Sequence, residues 1–292
     1  MAPNFGSSKH TNYAAFIDTR ISDMPTHENS KPLVLIVAGH DPSGAAGVQA
    51  DIETMLACGV RCASLLTATT TQDTNRFVGL HPQRPEDFAA QADLLLADMR
   101  FSACKIGLLG SSAIADCVKS LIPRLGEIPV VLDPILRVGT GIAVADAALF
   151  AAIRDRLLPM CTVITPNLVE ARLLSGCEAN AEAAQKLLAL GVKNVLATGA
   201  DEDTPTVINT LYQNKGTPSE YEFRRLAGVY HGSGCTLSAS LAAYLAHGFD
   251  MEQAARRAQE FTWLALAAGG RIGRGQLHPD RLQAANKVSG EK

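Results

Sequence analysis

The stretch His231-Gly232-Ser233-Gly234-Cys235-Thr236 carries the densest chemical signal in the chain. A Gly-Ser-Gly placed immediately before a helical run leaves several backbone N–H groups clustered and without partners. Reinforced by the helix dipole, they make a hole for an anion. The helix that follows, LSASLAAYLAHG, sets Leu237, Leu241 and Leu245 on one face and ends at Gly248. Cys235 falls in its first turn, where the backbone itself lowers a thiol pKa. The plainer reading is a cysteine packed beneath a glycine turn. The convergence of glycines and thiol on one helix end favours function.

The other six cysteines (58, 62, 104, 117, 161 and 177) lie in or beside apolar segments, and no Cys-x-x-Cys pair occurs. That pattern belongs to reduced thiols in a reducing compartment, not to a disulfide frame or a zinc site. Three further loops carry polar groups that chemistry could use. GHDPSGAAG, residues 39–47, has neither a Walker A Gly-Lys-Ser/Thr nor the Gly-x-Gly-x-x-Gly spacing. It is either the wall of a small-molecule pocket or a Gly-rich strand-to-helix turn. TATTTQDTN, residues 67–75, offers Gln72, whose amide can both donate to and accept from a heteroaromatic edge such as an aminopyrimidine, or can simply be solvated. Asp133-Pro134 and Thr165-Pro166-Asn167, with Glu170 one turn further on, place carboxylates at strand ends. Carboxylates there can organise Mg²⁺. Capping also explains Asn167 and Glu170, and on spacing alone it is favoured.

These loops need a scaffold that gathers them. From residue 33 onward, short β-branched runs (33–38, 62–67, 104–109, 130–132, 163–165 and 194–197) alternate with segments of helical period. Alternation of this kind predicts βαβ units around a mostly parallel sheet. Phe88, Ala92, Leu95 and Met99 make one apolar helix face; Ile114, Cys117, Val118 and Leu121 make another. Residues 207–212, Asn214-Lys215-Gly216 and 221–223 predict a hairpin at the sheet edge. The chain is expected to close with a helix capped by Asp250, with Gln253 three residues on, and ended at Gly269. In such folds ligands collect at the carboxyl ends of the strands, where the loops above would sit.

Residues 1–32 mix polar residues, Pro and Gly and are expected to form a disordered tail, residues 33–285 one domain, and residues 286–292 a flexible end. The tail has no hydrophobic run of secretory type, and no apolar run reaches the ~18 residues that span a bilayer. Of 292 residues, 47% are hydrophobic, 19% are charged, and the net charge is −3. Without a positive field, nucleic acid and anionic membrane are poor partners. A soluble cytoplasmic protein with a small-molecule ligand is the expectation.

Taken together, AGHDPSGAAGVQADI, TATTTQDT, KIGLLG, LDPI, TPNLVEA and HGSGCTLSASLA, in that order, resemble the hydroxymethylpyrimidine/phosphomethylpyrimidine kinases of thiamine biosynthesis. The resemblance runs from about residue 33 to 282. It implies a ribokinase-like three-layer α/β/α sandwich with a mostly parallel central sheet and an edge hairpin. It also implies ATP-dependent phosphorylation of 4-amino-5-hydroxymethyl-2-methylpyrimidine, its monophosphate, or both. Sugar kinases of this fold carry Asp where Cys235 stands. By the same resemblance, the pyrimidine would lie near Gly39, Asp41, Gln72, Leu108 and Ile135. Cys235 would face its hydroxymethyl or phosphate end, and the amides of Gly232, Ser233, Gly234 and Cys235 would stabilise the transferred charge. Asp133, Asn167 and Glu170 would handle Mg²⁺ and the nucleotide phosphates, with Asp133 and Glu170 on the metal, and Thr198-Gly199 would lie along ATP. Three departures stand out. Leu108 replaces a common Met; ATGADED at 197–203 lacks the usual phosphate-binding Lys, for which Arg274 is expected to compensate; and LRVGTGIAV at 136–144 departs from the usual Ala-Lys-Ser-Gly turn. A homodimer is expected. The rival readings are a pyridoxal kinase and a non-catalytic pyrimidine-binding regulator on the same fold.

Overall fold

The structure, a computed structural model, describes residues 31–138 and 141–289. Apart from Lys31 and Pro32, the expected N-terminal tail lies outside the described residues, as do residues 290–292 of the expected C-terminal one.

In chain order the elements are β1 (Leu33–His40), α1 (Gly47–Ala57), β2 (Arg61–Gln72), β3 (Phe77–Pro82), α2 (Pro85–Asp98), β4 (Ala103–Ile106), α3 (Ser112–Leu121) and β5 (Val130–Leu132). Next come β6 (Arg137–Val138), β7 (Ile142–Ala143), α4 (Ala147–Ala151), β8 (Val163–Ile164), α5 (Leu168–Ser175), α6 (Asn180–Ala189) and β9 (Asn194–Thr198). The chain finishes with β10 (Thr206–Gln213), β11 (Ser219–Arg224), α7 (Ser233–Ala246), α8 (Met251–Ala267) and α9 (Arg281–Ser289). Local chemistry sets the helix starts. Ser111 accepts from the Ile114 amide at 3.2 Å, Asp250 accepts from the Gln253 amide at 2.8 Å, and Pro85 occupies the first turn of α2, where a missing N–H is harmless.

Among the described residues, nine strands form one sheet in the order β11-β10-β9-β8-β5-β4-β1-β2-β3. The six from β9 to β2 are parallel, and both edges are antiparallel hairpins. Strands β1, β4, β5, β8 and β9 are buried on both faces almost throughout, which is why they read as largely apolar runs. One face packs a core that includes Phe88, Ile114, Leu149, Leu174 and Leu187; the other packs one that includes Val48, Met55, Leu241, Phe261 and Ala265. Helices α2 to α6 thus cover one side and α1, α7, α8 and α9 the other, giving the expected α/β/α sandwich.

Four expectations need correction. β2 does not end at residue 67 but continues through Gln72, so TATTTQ is strand rather than loop. It pairs with β3, a second edge hairpin. The sequence FVGLHP conceals this strand behind Gly and Pro, yet Pro82 stands at an edge, where its missing N–H interrupts no ladder. A short β6/β7 ribbon occupies part of the 136–144 loop. α8 is not the last helix either: α9 follows and runs to Ser289, past the boundary expected at 285. Its mean hydropathy is low, so periodicity gave no sign of it, while Ala284 and Arg281 are buried.

Candidate active site

β1 pairs with β2 on one side and β4 on the other, so successive connections leave in opposite directions and open a crevice at the carboxyl ends of the strands. The loops after β1, β2, β4, β5, β8 and β9 all end there, and the first turn of α7 faces them.

Gly232 caps α7 at φ +83°, a left-handed backbone that glycine adopts freely. A Cβ there would lie 1.8 Å from the Ala45 carbonyl oxygen, so the 39–47 loop and the start of α7 touch at this point. No side chain caps the helix, which leaves the first-turn amides open to an anion. Ser233 is half-buried and Gly234 exposed, as such a hole requires. Beneath Gly234 lies Asp133, whose Oδ2 would be 3.8 Å from a Cβ at that glycine.

Cys235 is only 6% exposed. Burial pushes its thiol up to about 12; Lys105 and the Gly47 amide pull the other way, while Asp133 and Asp51 add to the rise. The expectation of a lowered pKa at this helix terminus is therefore overturned, because burial outweighs the pull of Lys105 and the Gly47 amide. Cys235 is a thiol at neutral pH. Burial also raises Asp133, to about 6, against the pull of Lys105 and of donors from Ser238 and Cys235. The Ser238 hydroxyl is 3.3 Å from Asp133 Oδ2.

Glu170 realises the capping reading in full. Its Oε2 accepts from the Asn167 amide at 3.1 Å, while Asn167 Oδ1 accepts from the Glu170 amide at 2.8 Å. Its Oε1 accepts from the Leu136 amide at 3.3 Å, tying α5 to the loop after β5. Burial, followed by the charge of Asp133, pushes it up to about 8. Two buried carboxylates, with the charge of Asp133 raising Glu170, bring hard oxygens together, and a divalent cation would relieve that repulsion.

Asp41, expected near the pyrimidine, is heavily engaged within the protein. Its carboxylate accepts from the Ser43 amide at 2.8 Å, the Ser43 hydroxyl at 2.9 Å and the Ala46 amide at 3.0 Å, with His231 Nε2 3.0 Å from Oδ2. Burial pushes its pKa up, but His231 and Ser43 outweigh that and hold it below the usual range. With so few lone pairs left, Asp41 fastens the 39–47 loop to the α7 loop rather than presenting a free carboxylate to a ligand. Gly39 packs against Leu108, since a Cβ there would be 2.9 Å from Leu108 Cδ2. Ile135 is half-buried in the loop that follows β5. Gln72 Nε2 donates to Thr70 Oγ1 at 2.9 Å, and that hydroxyl donates to the His40 carbonyl at 2.9 Å. The Gln72 amide thus stands half-buried on the wall of a cavity of about 480 Å³, shared with Phe77, Ile142, His231 and Leu277.

At the other end, Asn167 and Thr198 are bridge partners, and the Thr198 amide donates to the Pro166 carbonyl at 3.0 Å. The Gly199 amide donates to Asn209 Oδ1 at 3.0 Å, and a Cβ at Gly199 would meet the Ile208 carbonyl at 2.3 Å. Arg274 does not join them. Its neighbours Gly273 and Gly275 press on Thr74, at the end of β2, five strands across the sheet from β9. Arg274 therefore cannot stand in for a lysine at Thr198. Arg225 lies closer, but its guanidinium is spent on the carbonyls of Ala200, Glu202 and Thr204.

Sequence reasoning missed the ion pair under the site. Lys105 of β4 donates to both carboxylate oxygens of Asp51 of α1, at 2.8 and 2.7 Å, and both side chains are fully buried. The signal was a lysine within an otherwise apolar strand. It missed Arg281 as well, for want of any recognised helix around it.

A sequence profile described as Phosphomethylpyrimidine kinase matches residues 41–280. The chain is 32% identical over 260 residues to a thiamine biosynthesis bifunctional protein of Geobacter sulfurreducens, covering 87% of this chain and 53% of that one. It thus spans about half the length of that relative. It is 32% identical over 251 residues to a hydroxymethylpyrimidine/phosphomethylpyrimidine kinase of Haemophilus influenzae, covering 83% and 93%. Among solved structures it superposes with a TM-score of 0.80 and 27% identity on the pyridoxal kinase of Staphylococcus aureus in complex with pyridoxal, covering 87% and 94%. The fold is accordingly ribokinase-like. Among the described residues, no helix is long and apolar enough to cross a membrane.

Proposed function

The chain belongs to the phosphomethylpyrimidine kinase family, and on that premise we propose that it transfers the γ-phosphoryl group of ATP to 4-amino-5-hydroxymethyl-2-methylpyrimidine, to its monophosphate, or to both. The observation that carries this reading is the uncapped first turn of α7, held against Ala45 and opening over Cys235 and Asp133. Phosphoryl transfer passes through a loose transition state, so positioning and charge neutralisation supply most of the acceleration. The amides of 233–235 meet the developing charge, and one such donor contributes roughly 3 kcal/mol. The Gln72 amide reads the pyrimidine edge, with Gly39, Leu108 and Ile135 as the wall and Asp41 shaping the loop.

Because its thiol is protonated, Cys235 orients the acceptor hydroxyl rather than deprotonating it in advance. The proton leaves late: the thiol gives its own proton to Asp133 and takes that of the hydroxyl, so Cys235 ends as it began. Asp133, at about 6, is charged at neutral pH and poised to accept. Glu170 would hold Mg²⁺, while Asp133, as the proton acceptor, stays off the ion. The ion would neutralise the ATP phosphates. Asn167, Thr198 and Gly199 line the nucleotide end.

A pyridoxal kinase is the second reading, favoured by the fold shared with that of Staphylococcus aureus. A non-catalytic regulator draws on the absence of lysine from 197–203. Phosphorus NMR of ATP mixed with the pyrimidine and the protein tests the main reading: pyrimidine mono- or diphosphate is expected, and binding without any phosphorylated product would favour the regulator. A homodimer remains part of the proposal, with the edge hairpin carrying the exposed Ile208 as one apolar face; sedimentation would test it.

A further inference from the structure

Arg281 opens α9, one residue beyond the stretch matched by the family profile. It is only 3% exposed, and its three guanidinium nitrogens reach three different elements. Nε donates to Thr236 Oγ1 at 3.0 Å in the first turn of α7, Nη1 to Glu53 Oε2 at 2.9 Å on α1, and Nη2 to the Ala45 carbonyl. Thr236 Oγ1 itself donates to the Gly232 carbonyl at 2.8 Å. The Ala45 oxygen is the same one against which Gly232 is pressed, and a Cβ on Gly232 would lie 3.1 Å from Nη2. The guanidinium thus grips both loops at their point of closest approach. A planar fork with donors in several fixed directions can do this; a single ammonium cannot.

We propose that Arg281 is a positioning residue that locks the 39–47 loop, on the acceptor side, to the first turn of α7, on the phosphoryl side, and so reserves the γ-phosphoryl group for the bound alcohol instead of water. The inference rests on the kinase reading above. In-line transfer to the alcohol needs both loops in register, and a shift of about 1 Å between reacting partners lowers such a rate by roughly a hundredfold. Attack by water needs only the α7 side. In that competing reaction a water oxygen bonds to the γ-phosphorus, the bond from phosphorus to the bridging oxygen breaks, and ADP and inorganic phosphate leave.

The test is the ratio of ADP released to phosphorylated pyrimidine formed, at saturating substrates, for wild type, Arg281→Lys, Arg281→Met and Thr236→Val. The ratio does not depend on how much of the enzyme is folded, so a residue that only stabilises the fold leaves it unchanged. We expect a ratio of about one for wild type and a rise of at least about tenfold in the Arg281 variants, with a smaller rise in Thr236→Val, which removes one acceptor and keeps the guanidinium. Should the Arg281 variants fail to fold, Thr236→Val decides by the same ratio. Variants that keep the wild-type ratio overturn the inference alone; a wild-type protein that makes no phosphorylated pyrimidine overturns the kinase reading and this inference with it.

Discussion

Lys105 Nζ and Asp51 Oδ2 meet at 2.7 Å with neither side chain exposed, joining β4 to α1 underneath the candidate site. The charge of Lys105 reaches both Cys235 and Asp133, which in the proposed mechanism sets a buried cation below the transferred phosphoryl group. Removing one partner leaves the other as an uncompensated buried charge, at a cost of about 3–5 kcal/mol. Lys105→Met should therefore lower Tm sharply. Pairing it with Asp51→Leu should restore most of the loss, since a buried pair replaced by apolar groups is often neutral. Thermal melts of the three variants check this; equal destabilisation in single and double variants would contradict it.

Gly232 meets two constraints at once, a φ of +83° and a backbone oxygen where a Cβ would have to go. Gly232→Ala is expected to destabilise by about 1–3 kcal/mol from backbone strain alone. Since the loop must also move away from Ala45, kcat should fall at least about tenfold as the first-turn amides lose their aim. Activity and Tm measured on the same preparation would show both effects together.

In the proposed mechanism Cys235 is a thiol that orients the acceptor and relays its proton. Cys235→Ala should lower kcat by roughly a hundredfold, the scale of a lost general acid–base group, with KM for ATP within a few-fold. Cys235→Ser keeps a hydroxyl in place and should retain more activity than Cys235→Ala. Steady-state kinetics decides, and a fully active Cys235→Ala enzyme would remove this residue from the mechanism.

Glu170 gives stability a pH dependence. Its carboxyl ordinarily titrates at 4.5 but is pushed up to about 8 in the folded chain by burial and by Asp133. Between those values the folded state holds a proton that the unfolded state has lost, so stability falls as pH rises from about 4.5 to about 8. Urea midpoints measured in chelator across this range should decline, and Glu170→Gln should flatten the slope. A slope unchanged by that substitution would show that another group is responsible.

How much of this was legible in the sequence depended on whether a residue announced itself by local pattern. Five of the six parallel strands did, because burial on both faces makes them largely apolar runs, whereas β2 showed itself only as far as Thr67. The Asn167/Glu170 capping box and the Asp250 cap did so through spacing alone. Strand β3 did not, since Gly79 and Pro82 read as loop until an edge position makes them harmless. The glycine turn at α7 was visible, but the state of Cys235 was not: its pKa is set by burial and by Lys105, Asp133 and Asp51, which reach it from other elements. Nothing in the sequence shows the partners of Asp41, which come from His231 and the amide of Ala46 only once the fold brings them to it. Arg274 failed as a surrogate lysine because a loop sequence does not tell which end of the sheet it crosses.

The most direct measurement is kcat/KM for ATP-dependent phosphorylation of hydroxymethylpyrimidine, its monophosphate and pyridoxal under one set of conditions. One or both pyrimidines should be phosphorylated with higher kcat/KM than pyridoxal, and Cys235→Ala should abolish most of that turnover. Preference for pyridoxal, or no turnover of any of the three by the wild-type protein, would contradict the account.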